Sequence, residues 1–258
     1  MMKNFPVHAA RVLAGCVLGF ASLTSSATSI WDVGSGCVQN ASKKDDYGNS
    51  FACSAGAGSP SMTASAWSTT GGSGTTFQTA NIALYSGAGF GVRNRDETLD
   101  TSAPQHSMDG NGTVDMVTLA FSDAVMLSAI TLGWTKTDSD ISVLRYTGTS
   151  KPAINGKSIS GLFSSGWELV GSYADLTSGT AKSINPLGLY SSLWMISAYS
   201  SSYGMTGTGL SNGNDYVKLG SISGKTAPPP THVPEPGTLA LMGAAAAGFI
   251  ATRRRRKA

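Results

Sequence analysis

Oxygen-bearing side chains are densest between Asp96 and Asp115, so a metal site is the first chemistry to consider. The residues in this segment that could supply side-chain oxygens are Asp96, Glu97, Asp100, Asp109, Asn111 and Asp115. Carboxylate, amide and backbone oxygens are the ligands that Ca²⁺ takes, and Gly110 and Gly112 would allow tight turns around an ion. We therefore consider a calcium site formed by Asp96, Glu97, Asp109, Asn111 and Asp115. The alternative is a solvated loop, which the sequence favours because the spacing differs from an EF-hand and shows no converging geometry.

Catalytic chemistry has little support in the sequence. His106 lies inside the predicted domain, but no Gly-x-Ser-x-Gly elbow accompanies it for a Ser-His-Asp triad. There is no His-Glu-x-x-His motif and no phosphate-binding loop. Glu97 and Glu168 could serve as the paired carboxylates of a glycosidase, but nothing in the sequence places them across a cleft. We predict that the protein is not an enzyme, with a glycan-active hydrolase as the lesser alternative.

Aromatic rings offer a binding chemistry, because rings exposed on one sheet face could stack on sugars. The candidates are Trp67, Trp134, Trp167 and Trp194. Most aromatic residues of a β-sandwich lie in its core. Tyr199 and Tyr203, in a Ser-rich loop, are predicted to be the most exposed pair. A carbohydrate-binding module is therefore the first alternative to a structural role.

Cys37 and Cys53 are the two cysteines outside the N-terminal segment that contains Cys16. In an exported chain, an even pair of cysteines predicts a disulfide. Closing this loop would contribute on the order of 3 kcal/mol in the chain-entropy model. A zinc site is disfavoured, because two cysteines without nearby histidines make a poor one.

Short strand-like runs separated by Gly, Ser and Asn predict an all-β domain over residues 28–224, without sustained helical periodicity. The predicted strands are Ser61–Trp67, Thr75–Leu84, Gly89–Arg93, Thr113–Phe121, Ala124–Trp134, Ile141–Tyr146, Trp167–Tyr173, Leu193–Ala198 and Asp215–Ile222. A tight turn at Ser122-Asp123 is expected between two of them. This pattern favours an antiparallel two-sheet sandwich, jelly-roll-like, followed by a stiff Pro-rich spacer at residues 225–232.

Residues 1–27 have the pattern of a secretory signal peptide. A basic start precedes an apolar run from Val12 to Leu23, and small residues before and at Ala27 predict cleavage there. Leu13-Ala14-Gly15-Cys16 also fits a lipoprotein cleavage box. That alternative is disfavoured, because the apolar stretch before Cys16 would be very short and continues past it.

Residues 233–258 combine three elements in a fixed order. Val233, Pro234, Glu235 and Pro236 form an extended segment, since prolines at this spacing do not fit inside a helix. An uncharged run from Thr238 to Thr252 follows, and a tail of five cations then holds the terminus on the cytoplasmic face. A transmembrane helix over the run would span roughly 22 Å, which is short against about 30 Å of hydrocarbon.

This C-terminal segment resembles the PEP-CTERM sorting signal of exported bacterial proteins. The resemblance implies recognition by an exosortase, a membrane transpeptidase that cuts at or near the Pro-Glu-Pro. It also implies a transient inner-membrane anchor, and then a place on the surface or in the extracellular matrix of a Gram-negative cell. The alternative is a plain membrane anchor that keeps its tail.

Several short motifs in the middle of the chain carry a second resemblance to known proteins. They are Thr63–Ser68, Tyr85–Gly87, Gly89–Val92, Asn94, Glu97, Pro104–His106, Asp109, Asp138–Val143 and Asn214–Leu219. Together they are similar to a family of exosortase-dependent surface proteins, a resemblance that implies no activity. That family has Asp-Asn after the histidine, whereas Asp109-Gly110-Asn111 stands here.

The charge of the exported part is mildly acidic, although the whole chain has a net charge of +3. Seven of the 18 basic residues and one of the 15 acidic residues lie in the terminal signals. The exported part therefore has 11 basic and 14 acidic residues and a net charge of −3. A dispersed acidic surface disfavours nucleic-acid binding. We predict a non-catalytic structural or adhesive protein, with exosortase and extracellular polysaccharide as the candidate partners.

Overall fold

The computed structural model of the protein describes residues 27–70, 74–97, 106–228 and 244–245. Its strands are β1 (Thr28–Asp32), β2 (Cys37–Gln39), β3 (Ser50–Cys53), β4 (Met62–Ser68), β5 (Gln78–Thr79), β6 (Asn81–Tyr85), β7 (Gly89–Arg93), β8 (Met108–Asp109), β9 (Asp115–Thr137), β10 (Ile141–Tyr146), β11 (Trp167–Tyr173), β12 (Ala181–Ser183), β13 (Ser191–Ala198) and β14 (Asp215–Thr226). Two short helices, α1 (Val33–Gly36) and α2 (Ile159–Phe163), accompany them. The all-β prediction is confirmed.

The predicted terminal signals lie almost wholly outside the described residues. This holds for the signal peptide up to residue 26, for the sorting motif Val233, Pro234, Glu235 and Pro236, and for the basic tail. Of the predicted transmembrane run, the structure describes Ala244 and Ala245, which are helical.

The long strand β9 organises the sheet, because it hydrogen-bonds different partners along its length. Its first part lies between β4 and β13, and its later part pairs with β14 and β12. All these pairings are antiparallel. The five strands belong to one continuous 14-stranded sheet. The hydrogen bonding therefore does not separate the two sheets that the sequence predicts, since β9 belongs to both parts.

The tight turn predicted at Ser122-Asp123 is wrong, because both residues continue β9. Both side chains are exposed, and the Ser122 hydroxyl donates to the Asp123 carboxylate at 2.9 Å. The backbone N–H of Ser122 donates to the carbonyl of Ser61. Polar residues that face solvent and keep a cross-strand partner do not have to end a strand.

The last strand is longer than predicted. β14 continues through Thr226, where Lys225 pairs with Met126 and Thr226 with Val125. The first two residues of the predicted spacer therefore belong to the sheet.

Aromatic contacts tie the two parts of the sheet together. The rings of Trp31 and Phe121 have centroids 4.9 Å apart, and so do those of Phe51 and Phe90. All four side chains are buried. The second pair joins β3, which lies beside β4, to β7, which lies beside β14. This packing gives the domain a core between the two parts of the sheet.

The disulfide between Cys37 and Cys53 confirms the prediction from the sequence. The two residues stand opposite each other in the pairing of β2 with β3, with their Cα atoms 4.0 Å apart. The bond therefore fixes the register of a short hairpin next to the core.

Candidate functional site

An acidic cavity of about 250 Å³ brings together most of the residues considered as calcium ligands. It is lined by Asn94, Asp96, Glu97, Asp109, Asn111, Thr113 and Tyr216. The segment after β7, the end of β8, the connection from β8 to β9, and the start of β14 supply these residues. Four of the five residues of the predicted calcium set thus share one cavity.

Hydrogen bonds to Glu97 and Asn94 shape one wall of the acidic cavity. The Glu97 carboxylate accepts the backbone N–H of Asn94 at 2.8 Å and that of His106 at 3.3 Å. The side-chain oxygen of Asn94 accepts the N–H groups of Asp96 and Glu97. These bonds hold the Glu97 carboxylate at the cavity and connect it to the segment that enters β8.

The opposite wall is built around Asp109. Its carboxylate accepts the backbone N–H of Asn111 at 3.1 Å, and the Asn111 amide donates to the Tyr216 hydroxyl at 2.9 Å. Burial raises the pKa of Asp109 to about 7, and the charge of Glu97 also raises it, whereas the Asn111 N–H acts in the opposite direction. Asp109 and Glu97 are therefore close enough to repel each other across this cavity.

Asp115, the fifth residue of the predicted calcium set, does not line the acidic cavity and is fully buried at the start of β9. Neither of its carboxylate oxygens has a hydrogen-bond partner. Burial raises its pKa well above the usual range, and the charge of Asp109 raises it further. The Ser68 hydroxyl and the backbone N–H of Asp109 are near enough to lower this pKa, although neither reaches hydrogen-bonding geometry.

Asp215 is a buried carboxylate that our candidate set from the sequence did not include. Its Oδ1 accepts the backbone N–H of Asp140 at 2.7 Å, whereas its Oδ2 is buried without a partner. A Cβ placed on Gly110 would lie 3.6 Å from that Oδ2, so this oxygen faces the turn between Asp109 and Asn111. Burial raises the pKa of Asp215 to about 8. The sequence signal that could have identified Asp215 is the position of an acidic residue at the start of an apolar strand.

A second acidic cluster consists of Asp138, Asp140 and Asp175. Within the described parts of the chain, it is the group that brings three carboxylate oxygens within 4.8 Å of one another. The Asp140 carboxylate accepts the N–H groups of Asp175 and Ser211 at 2.9 and 2.8 Å, and the Asp138 carboxylate accepts the Ser211 hydroxyl. These carboxylates therefore already join two loops to the start of β10.

Residues from separate sequence motifs meet beside the acidic cavity. The Tyr85 hydroxyl lies 2.7 Å from Nδ1 of His106, whose backbone is bonded to Glu97. The Lys218 ammonium lies 4.7 Å from the ring centre of Tyr85 and 4.2 Å from that of Trp134. Four of the motifs that resemble exosortase-dependent surface proteins, those with Tyr85, Glu97, His106 and Lys218, thus meet in space.

The tryptophans form no exposed stacking platform in the described structure. Trp31, Trp167 and Trp194 are buried, and Trp67 and Trp134 are partly buried. Trp67 donates its indole N–H to Thr118, and Trp134 is covered by Lys218.

The prediction that Tyr199 and Tyr203 are exposed is wrong, since they are 2% and 3% exposed. Their hydroxyls donate to the carbonyl of Met205 and to the hydroxyl of Ser197, which explains why these polar rings are tolerated inside.

The two glutamates considered for a hydrolase occupy separate sites. Glu97 lines the acidic cavity, whereas Glu168 lies on β11 in a salt bridge with Arg145 of 2.8 Å. The paired-carboxylate arrangement of a glycosidase is therefore not assembled from them.

Comparison with known families locates the sorting signal. A family model for the PEP-CTERM protein-sorting motif matches residues 232–256, a range that includes Val233, Pro234, Glu235 and Pro236. No curated protein and no solved structure matches the chain. None of the described helices is long and apolar enough to span a membrane. The match shows that the chain carries a PEP-CTERM protein-sorting motif, which supports export that depends on an exosortase.

Proposed function

We propose that this protein is a non-catalytic structural or adhesive component of the outer cell surface or extracellular matrix. The observation that carries the proposal is the sorting motif at residues 232–256. Exosortase would process a chain held briefly in the inner membrane by the apolar run from Thr238 to Thr252. The N-terminal 27 residues would already have been removed during export.

Several features of the β domain support a structural role. The Cys37–Cys53 disulfide suits an oxidising environment, and the dense aromatic core suits a durable scaffold of sandwich type. The full or partial burial of the tryptophans weakens the alternative of a carbohydrate-binding module that stacks sugars on aromatic rings. The separation of Glu97 from Glu168 weakens the hydrolase alternative.

Extracellular polysaccharide is the partner that we propose for an adhesive role. A cavity of about 520 Å³ has a wall rich in hydroxyl groups, which could hydrogen-bond to sugars. Its polar side chains include Thr69, Thr75, Ser158, Ser160, Ser200 and Ser202. Saturable co-sedimentation with the native polysaccharide, weakened by Ser200→Ala with Ser202→Ala, would support this role. Binding that is absent, or equal in the variant, would contradict it.

The intact mass of the protein recovered from outside native cells tests the sorting itself. We expect a mature chain that begins near Thr28 and ends near Pro234–Pro236. Cells that lack exosortase should retain the unprocessed C-terminus. A mass that still includes the arginine tail in wild-type cells would make the protein a plain membrane-anchored protein and would overturn the proposal.

A further inference from the structure

Three buried carboxylates interact around Asp109, which is the one of them that lines the acidic cavity. Asp109, Asp115 and Asp215 are 7%, 0% and 0% exposed. Both carboxylate oxygens of Asp115 and the Oδ2 of Asp215 are buried without a hydrogen-bond partner. An ionised carboxylate that is buried without a partner is strongly unfavourable, so such a group either stays protonated or is compensated by a positive group.

The described side chains do not provide that positive charge through an ion pair. The salt bridge found in the described structure joins Arg145 to Glu168, away from these carboxylates on β10 and β11. Lys218 is buried nearby, but its ammonium lies over the rings of Tyr85 and Trp134. Among the described residues, no direct contact with a basic side chain therefore balances negative charge around Asp109.

The acidic cavity gives an ion from the solvent access to Asp109. Asp109 lines the cavity, and its charge also acts on the buried Asp115. The Oδ2 of Asp215 faces Gly110, the residue between Asp109 and Asn111 in the same wall. An ion in the cavity would therefore contact Asp109 directly, whereas Asp115 and Asp215 do not line the cavity and would act on the ion through their charge.

We propose that Ca²⁺ binds in the acidic cavity, with oxygens of Asp109, Glu97 and Asn111 as protein ligands. Asp115 then adds negative charge to the site, because a bound cation stabilises its ionised form. Ca²⁺ takes six to eight oxygen ligands in flexible geometry, and water completes its shell where the protein does not. A cavity of about 250 Å³ has room for the ion and several waters.

A cation at this position would join three parts of the chain. Glu97 follows β7, Asp109 ends β8, and Asn111 lies in the connection that leads into β9. Calcium sites of extracellular modules have dissociation constants of about 10⁻⁴ to 10⁻³ M, which suits an exported domain. The ion would thus stabilise the domain after it has left the cytoplasm.

The test uses the full-length chain in detergent, stripped with a chelator and then titrated with CaCl₂. Thermal unfolding is followed by near-ultraviolet circular dichroism, and the heat of binding is measured in parallel. At ten times the dissociation constant, we expect the unfolding midpoint to rise by about 3–6 °C. Mg²⁺ should give at most about a tenth of this response at equal concentration, because it needs a smaller and more regular shell.

Two variants locate the site. Asp115→Asn keeps the shape of the side chain and removes its charge, so we expect a folded protein with affinity for Ca²⁺ weakened by about 10- to 100-fold. Asp109→Asn, at the cavity surface, should abolish the response. The calcium response of Asp109→Asn tests the site independently if Asp115→Asn does not fold.

Asp175→Asn is the matched control, because it removes one carboxylate from the other acidic cluster. It should leave the calcium response unchanged. The proposal is overturned if the wild type shows no calcium response or responds equally to Mg²⁺. It is also overturned if Asp175→Asn removes the response while Asp109→Asn and Asp115→Asn retain it. None of these results depends on processing at residues 233–236.

Discussion

The hydroxyl of Tyr85 lies 2.7 Å from Nδ1 of His106, and this contact joins the end of β6 to the segment that enters β8. The same segment is tied to Glu97 through the backbone N–H of His106. One wall of the acidic cavity is therefore supported by a side-chain hydrogen bond that lies outside the cavity itself.

Tyr85→Phe tests this support. The substitution keeps the ring and removes the hydrogen bond to a buried imidazole, so we expect the free energy of unfolding to fall by about 1–2 kcal/mol. Urea unfolding measures the effect. Tyr190→Phe, at a partly exposed ring, is the control and should change little. Equal stability of the two variants would show that the Tyr85–His106 contact contributes nothing.

Gly91 is a position at which the structure requires a residue without a side chain. A Cβ at this position would clash with the carbonyl of His106 and lie 3.0 Å from the ring of Tyr85. We expect Gly91→Ala to destabilise the domain by about 1–3 kcal/mol, because overpacking forces the backbone to shift. Gly207→Ala is the matched control, since its nearest neighbour would be a Leu210 methyl carbon at 3.6 Å. Thermal unfolding of both variants should separate them, and similar midpoints would contradict the expected clash.

The disulfide allows a prediction about the exported state. Replacing Cys37 and Cys53 by serine should lower the free energy of unfolding by about 3 kcal/mol in the chain-entropy model. Denaturant unfolding of the double variant measures this loss. Reduction of the wild-type protein should produce the same loss, and the double variant should not respond to reductant. A wild-type midpoint that is insensitive to reduction would refute the prediction.

The sorting motif can be tested separately from the β domain. Changing Pro234, Glu235 and Pro236 together to alanine should remove the extended motif and leave the precursor unprocessed in the membrane fraction. Changing Pro228, Pro229 and Pro230 to alanine is the control, because these residues belong to the preceding Pro-rich segment. Immunoblotting of cell fractions distinguishes the two forms. Normal release of the motif variant would show that processing does not require these residues.

The sequence by itself determined the features that depend on local pattern. The order of Pro-Glu-Pro, apolar run and arginine tail indicated the sorting signal, and the family comparison agrees. The pairing of Cys37 with Cys53 followed from their number and the export context. The strand Gly89–Arg93 was predicted with the bounds that the structure has, because its alternating Phe90 and Val92 lie between the turn residues Gly87 and Asn94.

Only the tertiary structure decided which distant residues meet. Asp215 lies far along the chain from Asp109, and their proximity depends on the pairing of β14 with β8. The same long-range packing buries Tyr199 and Tyr203, although their Ser-rich surroundings suggested exposure. It also carries β9 through Ser122 and Asp123, where local polarity predicted a turn. Local patterns do not encode these outcomes, because each is decided by a free-energy balance between segments that are remote in sequence.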